Sequence, residues 1–484
     1  MNLRATIRSI LSSDTLLGRS VKSIGVLAAA SGLEHLFRLI RNIILVRILA
    51  PDAFGIMAAV TASVAVIEAF SEVGLKQNVI QHEKGADDDF LRIIYWLAIT
   101  RSLFLYAIAY MSAPFIGEFF NRPESTEVLR VGFLVIPIEG AVSPRLTLLE
   151  KELNYRKWAI IVQGSAFTGI TVAVVSAFYF QNVWALVTGY VTESSIRCIA
   201  SQVICPQRLS LSINAYYLRE VLTFSKRIFG LPILMLLFTQ ADTFVIGRVL
   251  SMELLGFYAL AKSLSEVPTM LIAKIVNPVL LSATSRLKSS EEAVRGVLIS
   301  VIEIIMTFGM PAVALMIVLS KNILTVLYGS PFAVVALPFG ILSLSALAYI
   351  GSSVAMTLFI AMGRPDLQRI AAFVRTALFL ALVYPATALF GLTGTATAAL
   401  LAMLCCLSIQ YLYLRKTLRL KLREYARAFL NGLKLSLVVI FPGAFLHYVF
   451  QDDRVVLTIG VFLCVMCWIR GYNKLALIKT LTGR

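Results

Sequence analysis

Apolar residues run through this chain in long stretches broken by short polar clusters, and the lengths of those stretches are the first structural signal. A helix needs roughly 20 predominantly apolar residues to cross the hydrocarbon core of a bilayer. Fourteen stretches meet that need, with approximate boundaries 23–48, 54–75, 91–115, 129–149, 157–178, 183–204, 221–248, 254–280, 294–319, 332–361, 367–389, 393–414, 428–450 and 455–470. Pro137 and Pro144 interrupt the fourth. Fourteen crossings take roughly 300 residues, which leaves short loops and tails and no room for a separate soluble domain. The pattern predicts an all-α polytopic membrane protein with about 14 transmembrane helices, whose function is performed within the bilayer.

Two stretches repeat at an offset of 201 residues. Arg47-Ile48-Leu49-Ala50-Pro51-Asp52-Ala53-Phe54-Gly55-Ile56-Met57-Ala58 leads from the first span into the second. Arg248-Val249-Leu250-Ser251-Met252-Glu253-Leu254-Leu255-Gly256-Phe257-Tyr258-Ala259 leads from the seventh into the eighth. Six crossings separate the copies, so both have the same orientation and the repeat is parallel, about an axis along the membrane normal. The expected organisation is two parallel six-helix repeats, an N-terminal lobe over 1–210 and a C-terminal lobe over 211–420, plus two C-terminal helices over 421–484. The repeated element reads as a hairpin in which Asp52 or Glu253 caps a helix start and Gly55 or Gly256 permits close helix packing. On that reading Arg47 and Arg248 belong to the hairpin and not to a substrate.

Composition sharpens this picture. Of 484 residues 58% are apolar and only 15% charged, against roughly 25% charged in ordinary soluble domains, and mean hydropathy is +0.83. The 44 Lys and Arg outnumber the 27 Asp and Glu, for a net charge of +17. Such an excess on a wettable face would suggest nucleic acid, but here the charges sit in clusters between apolar runs, so nucleic acid is excluded as a partner. Counted on alternate sides of the predicted spans, 29 basic residues fall on one side, 5 on the other and 10 within spans. Positive charge is retained on the cytoplasmic side, so both termini are expected there. The cluster Arg415, Lys416, Arg419, Lys421, Arg423 and Arg427 reads as an anchor on anionic membrane lipids. The first span runs past Leu45 without a small-residue cleavage site, so it is expected to stay as a span and not to be removed as a signal peptide.

Four further stretches carry a resemblance. Phe70-Ser71-Glu72-Val73-Gly74-Leu75 follows the first hairpin; Leu149-Glu150-Lys151-Glu152-Leu153-Asn154-Tyr155-Arg156, Val183-Trp184-Ala185-Leu186-Val187 and Gly363-Arg364-Pro365-Asp366 come later. Together with Arg47 to Gly55 they resemble the polysaccharide flippase family of the multidrug, oligosaccharidyl-lipid and polysaccharide exporter superfamily. Lys151 replaces the usual Arg, and Asn182 stands where Gly often precedes the third motif. The resemblance covers about residues 20 to 420. It implies alternating-access transport of a polyprenyl-diphosphate-linked oligosaccharide across a bacterial inner membrane, for O-antigen, capsule or exopolysaccharide synthesis. It further implies coupling to a proton or sodium ion, and polymerase and glycosyltransferases of the same pathway as partners.

Ionisable residues inside spans are costly if they face lipid, so by default they are paired or face a cavity. Glu34, Arg38, Arg41 and Asn42 lie along one face of the first span. Guanidinium forks suit a diphosphate, and the alternative is a local Glu34–Arg38 pair at i, i+4. The repeat offset maps Arg41 onto Asp242 and Arg38 onto Thr239, so Arg41 and Asp242 are a candidate gating ion pair. Glu68 and Glu72, one turn apart, are candidate proton-coupling carboxylates. Lys262 and Glu266 read first as a local pair. Arg101, Arg145, Lys274 and Arg375 complete a candidate cationic cavity, with Glu139 and Glu303 as possible partners; Arg145 equally suits lipid headgroups.

No enzyme chemistry is visible. There is no phosphate-binding G-x-x-x-x-G-K-[ST], the three His (His35, His82, His447) are scattered, and the six Cys read as small hydrophobes, including the Cys464 and Cys467 pair. The chain is therefore expected to be a transporter without cofactor or metal. The competing readings are a multidrug/cation antiporter or a peptidoglycan-precursor (lipid II) flippase. A membrane-embedded glycosyltransferase is less consistent with the short outer loops.

Overall fold

The computed structural model describes residues 32–69, 74–82, 85–152, 154–207, 217, 219–221, 223, 231–286, 291–449 and 452–474. Among them there is no strand. The first nine residues of the first predicted span, the basic N-terminal tail, Glu72 and most of the 70–75 motif lie outside the described residues.

In chain order the helices are α1 (32–46), α2 (Pro51–Ala69), α3 (Leu75–Gln81), α4 (Asp88–Phe119), α5 (Thr126–Gly132), α6 (Val135–Gly140), α7 (Arg145–Lys151), α8 (Tyr155–Phe180) and α9 (Trp184–Ile204). They continue with α10 (Leu231–Val249), α11 (Met252–Arg286), α12 (Glu291–Val318), α13 (Ser320–Tyr328), α14 (Ala336–Ala361), α15 (Pro365–Leu418), α16 (Leu422–Val449) and α17 (Asp453–Lys474). Among the described residues seven helices are long and apolar enough to cross a membrane, or eight if a bent pair counts as one. The chain is a multi-pass membrane protein of all-α architecture.

One predicted span differs in form from the expectation, and two others are the limbs of one helical element. The fourth is not one rod: α5 and α6 are followed by a bend of 65° before α7. Pro144 disfavours helical backbone at Ser143, and the freed polar groups are taken up by α9. The Ser143 amide donates to Ser201 Oγ (3.0 Å), and Ser143 Oγ donates to the Cys205 carbonyl (2.6 Å). The predicted eleventh and twelfth spans form α15, whose helical course breaks at Gly391 (φ 57°, ψ −141°), a conformation essentially restricted to glycine. Its two limbs are antiparallel, because Thr387 and Thr395 hydroxyls meet at 2.7 Å near the break and Gln410 Nε2 donates to Gln368 Oε1 (2.7 Å) far from it.

The chain divides into two compact units, one ending at Gly256 and the other beginning at Phe257. In the first, Val60, Leu129, Phe133, Ile136 and Val187 pack α2, α5, α6 and α9 together. α10 packs on α2, and the two repeated hairpins meet there at Gly55 and Gly256. A β-carbon on Gly55 would lie 1.9 Å from the Met252 carbonyl oxygen, and one on Gly256 would lie 1.9 Å from the Pro51 carbonyl oxygen. In the second unit Leu298, Ile305, Ile350, Leu358, Phe359 and Leu414 form a core between α12, α14 and α15.

Candidate functional site

The site in the first unit is built on three helices that each bring charge into an apolar setting. α1 supplies Glu34 and Arg38, one turn apart; α9 supplies Glu193 and Arg197 with the same spacing; α6 supplies Glu139. Arg38 Nε donates to Glu34 Oε1 (3.0 Å) and Arg38 Nη2 to Glu193 Oε1 (2.8 Å). Arg197 Nη2 reaches the same Glu193 oxygen (2.8 Å), and Arg197 Nη1 reaches Glu139 Oε1 (2.8 Å). The result is an alternating ladder Glu34–Arg38–Glu193–Arg197–Glu139, extended at one end by Gln163 Nε2, which donates to Glu34 Oε2 (3.1 Å). Glu193 is its buried centre, with a side chain only 8% exposed, while that of Arg38 is 33% exposed. Small residues permit this geometry: Gly169 and Gly189 bring α8 and α9 into backbone contact beside Glu193.

The ladder contains the local pair of α1 and extends it. Glu34 and Arg38 do pair locally, and Arg38 also reaches across 155 residues of sequence to Glu193. Glu139, expected to partner Arg101, Arg145, Lys274 or Arg375, is bonded to Arg197. Glu193 and Arg197 were not singled out by the sequence reading, although their i, i+4 spacing inside the 183–204 run is the same signal that marked Glu34 and Arg38. Tyr190, one turn before Glu193, lies in the field of Glu68, Glu139, Glu193 and Arg197. Arg101 Nη2 donates to the Glu68 carbonyl (2.8 Å), so these two candidates also come together.

The other candidates are placed elsewhere. The Arg41 guanidinium donates to Asn42 Oδ1 (3.0 and 3.2 Å). Asp242 is 2% exposed and its Oδ1 accepts the Thr243 amide (2.9 Å). Arg145 forms an ion pair with Asp88, in the first turn of α4. Lys262, Glu266 and Arg375 belong to the second unit, where Arg375 is 4% exposed. Glu303 accepts from Asn431 Nδ2 (3.2 Å) in that unit. Glu72 and the Lys274 side chain lie outside the described residues.

Ionisable groups gathered at membrane depth among apolar helices mark a functional site by default. The architecture is similar to that of a solved structure titled lipid II flippase MurJ, inward closed conformation, with a TM-score of 0.77 at 15% identity over 95% of this chain and 100% of that one. A family model described as "Polysaccharide biosynthesis protein" matches residues 44–337. The chain belongs to that family. Among curated proteins it is similar to the lipopolysaccharide biosynthesis protein WzxC of Escherichia coli, 23% identical over 60% of this chain and 59% of that protein. It is also similar to the succinoglycan biosynthesis transport protein ExoT of Rhizobium meliloti, 24% identical over 62% of this chain and 61% of that protein. The matches thus span about three fifths of the length of these two relatives.

Proposed function

We propose that the protein is a secondary transporter of the bacterial inner membrane that flips polyprenyl-diphosphate-linked oligosaccharide units from the cytoplasmic to the periplasmic leaflet. The observation that carries this reading is the polar face of α1, where Arg38 and Arg41 stand inside a membrane-spanning unit of a polysaccharide-biosynthesis family member. Guanidinium groups match phosphate oxygens bidentately, and Arg38, one third exposed, is the accessible cation of the ladder. The relatives WzxC and ExoT, named for lipopolysaccharide biosynthesis and succinoglycan transport, support a lipid-linked sugar cargo over a drug.

In this mechanism two six-helix lobes, 1–210 and 211–420, rock about the cargo with both termini cytoplasmic, while the polyprenyl tail stays in lipid. The reciprocal contact of Gly55 and Gly256 supports a parallel repeat. Arg38, Arg41, Arg101, Arg145, Lys262, Lys274 and Arg375 supply cationic character. Glu34, Glu68, Glu72 and Glu266 are the carboxylates available for coupling to a proton or sodium ion, and Arg41 with Asp242 is the gating pair. Polymerase and glycosyltransferases of the same pathway are its partners, and the chain itself is not an enzyme. The test is a deletion strain with no redundant exporter. Lipid-linked oligosaccharide is expected to accumulate on the cytoplasmic face, restored by the wild-type chain and not by Arg38→Gln. Normal appearance of the oligosaccharide outside the deletion strain overturns the proposal.

A further inference from the structure

We propose that a groove between α12, α16 and α17 is a binding site for one anionic phospholipid, whose phosphate is held by Lys434 and Arg470. The groove has a volume of about 970 Å³, at the upper end of small-molecule pockets. Its polar lining is Glu303 and Thr307 from α12, Asn431 and Lys434 from α16, and Arg470 from α17. Side chains such as Phe462 and Met466 supply its apolar walls.

The groove is a feature of well-packed helices. Trp468 Nε1 donates to the Phe308 carbonyl (2.9 Å), tying α17 to α12. A β-carbon on Gly432 would lie 2.6 Å from the Met306 carbonyl oxygen, and one on Gly471 would lie 2.4 Å from Thr307 Cγ2. Cys467 Sγ donates to the Leu435 carbonyl (3.5 Å), which sets α16 and α17 in register and places Arg470 within about one helical turn of Lys434.

Charge identifies the occupant. Lys434 and Arg470 are both exposed beside α17, a helix long and apolar enough to cross a membrane, and neither has a carboxylate partner among the described residues. Glu303 is engaged by the Asn431 amide, with Oε1 3.2 Å from Nδ2. Two cations without a carboxylate partner among the described residues, in a groove with apolar walls, are costly at membrane depth unless they meet an anion. A hydrocarbon tail gains nothing from them, whereas a headgroup phosphate takes charge-assisted hydrogen bonds from both. Long side chains reach such a headgroup while their stems stay on apolar surface. Glu303 then offers an acceptor to headgroup hydroxyls. This site is independent of the transport reading, since nothing in it calls on the ladder or on the cargo.

The test uses the full chain, purified in detergent and titrated with phosphatidylglycerol or phosphatidylcholine under native mass spectrometry. One phosphatidylglycerol is expected to be retained at about tenfold lower concentration than phosphatidylcholine. The Lys434→Gln plus Arg470→Gln variant loses that preference, each single variant loses part of it, and Lys434→Arg keeps it. The single variants decide the matter should the double variant fail to fold. Equal retention of the two lipids by the wild-type chain overturns the proposal. So does an undiminished preference in the variants, which would assign the effect to the basic cluster around Arg419. Displacement of phosphatidylglycerol by equimolar undecaprenyl phosphate also overturns it, by assigning the groove to a polyprenyl lipid. The readout contains no transport step, so its failure is separate from failure of the flippase reading.

Discussion

Gly55 and Gly256 stand 201 residues apart and are packed back to back, each with its Cα against a carbonyl of the other's hairpin. The contacts are exchanged: Gly55 meets Met252 and Gly256 meets Pro51, and Pro51 and Met252 are related by the same offset. Equivalent positions touching reciprocally is the signature of a two-fold relation. The repeat recognised in the linear sequence is therefore also a local packing symmetry, and glycine is needed because the obstacle is backbone.

Alanine at either position is expected to destabilise. In an exposed helix interior Gly→Ala ordinarily gains up to about 1 kcal/mol. At Gly55 or Gly256 the added β-carbon meets a carbonyl oxygen at 1.9 Å, and overpacking of this kind costs about 1–3 kcal/mol. Gly164 is the control, since nothing lies within 4 Å of its would-be β-carbon. Thermal unfolding of the purified protein should show Gly55→Ala and Gly256→Ala melting below wild type and Gly164→Ala at or above it. The same sign at all three positions would refute the steric account.

Glu193 is expected to be the most sensitive member of the ladder. It is the least exposed carboxylate of the ladder and serves two guanidinium groups. Removing one partner of a buried ion pair costs about 3–5 kcal/mol, because a charge is left uncompensated. Here Arg38 keeps Glu34 and Arg197 keeps Glu139, so Glu193→Ala should fall at the lower end, about 3 kcal/mol, with Glu193→Gln milder. Melting temperatures unchanged from wild type in both variants would show that the ladder contributes no stability.

Much of the fold was legible because membrane spans advertise themselves by length and hydropathy alone. The fracture of the fourth span was written in Ser143-Pro144, and the division of α15 in Gly391, yet neither gives its angle, which is fixed by partners such as Ser201. The site was half legible. Spacing one turn apart marked Glu34 with Arg38, and would have marked Glu193 with Arg197. No local pattern states that Arg38 crosses to a helix 155 residues away, because tertiary pairing is decided by which helices pack. Arg145 shows the same limit from the other side: it reads as a cavity or headgroup cation, and its partner Asp88 is known only from the structure.

Cys205 offers a pH-dependent check outside the spans. Burial pushes its thiol up from the ordinary range, with Lys157 and Arg145 acting in the opposite direction. A raised pKa keeps the thiolate, the reactive form, scarce at neutral pH. In a variant with Cys205 as its single cysteine, maleimide labelling of the folded chain should therefore keep rising with pH beyond the point at which labelling of the unfolded chain levels off. A folded-state plateau at or below that of the unfolded chain would place the thiol in the wrong environment.

Whether the five ladder residues act as one network or as separate pairs can be decided at its two ends. Glu34 and Glu139 are on different helices and bond to different arginines, so as isolated pairs their substitutions should be additive within about 0.5 kcal/mol. In a network the two ends communicate through Glu193. When Glu34→Gln weakens the hold on Arg38, that guanidinium draws more on Glu193, and Arg197 comes to depend more on Glu139. Glu139→Gln should then cost more in the Glu34→Gln background than in the wild type, with a coupling energy between 0.5 and about 3 kcal/mol. Putting Glu193→Gln into all four members of the cycle should abolish that coupling, since the shared carboxylate is the only link between the arginines in the ladder. Additive end substitutions would reduce the ladder to two independent pairs that happen to share an oxygen. Coupling that survives Glu193→Gln would place the connection in helix packing, through the α8–α9 crossing at Gly169 and Gly189, and not in charge.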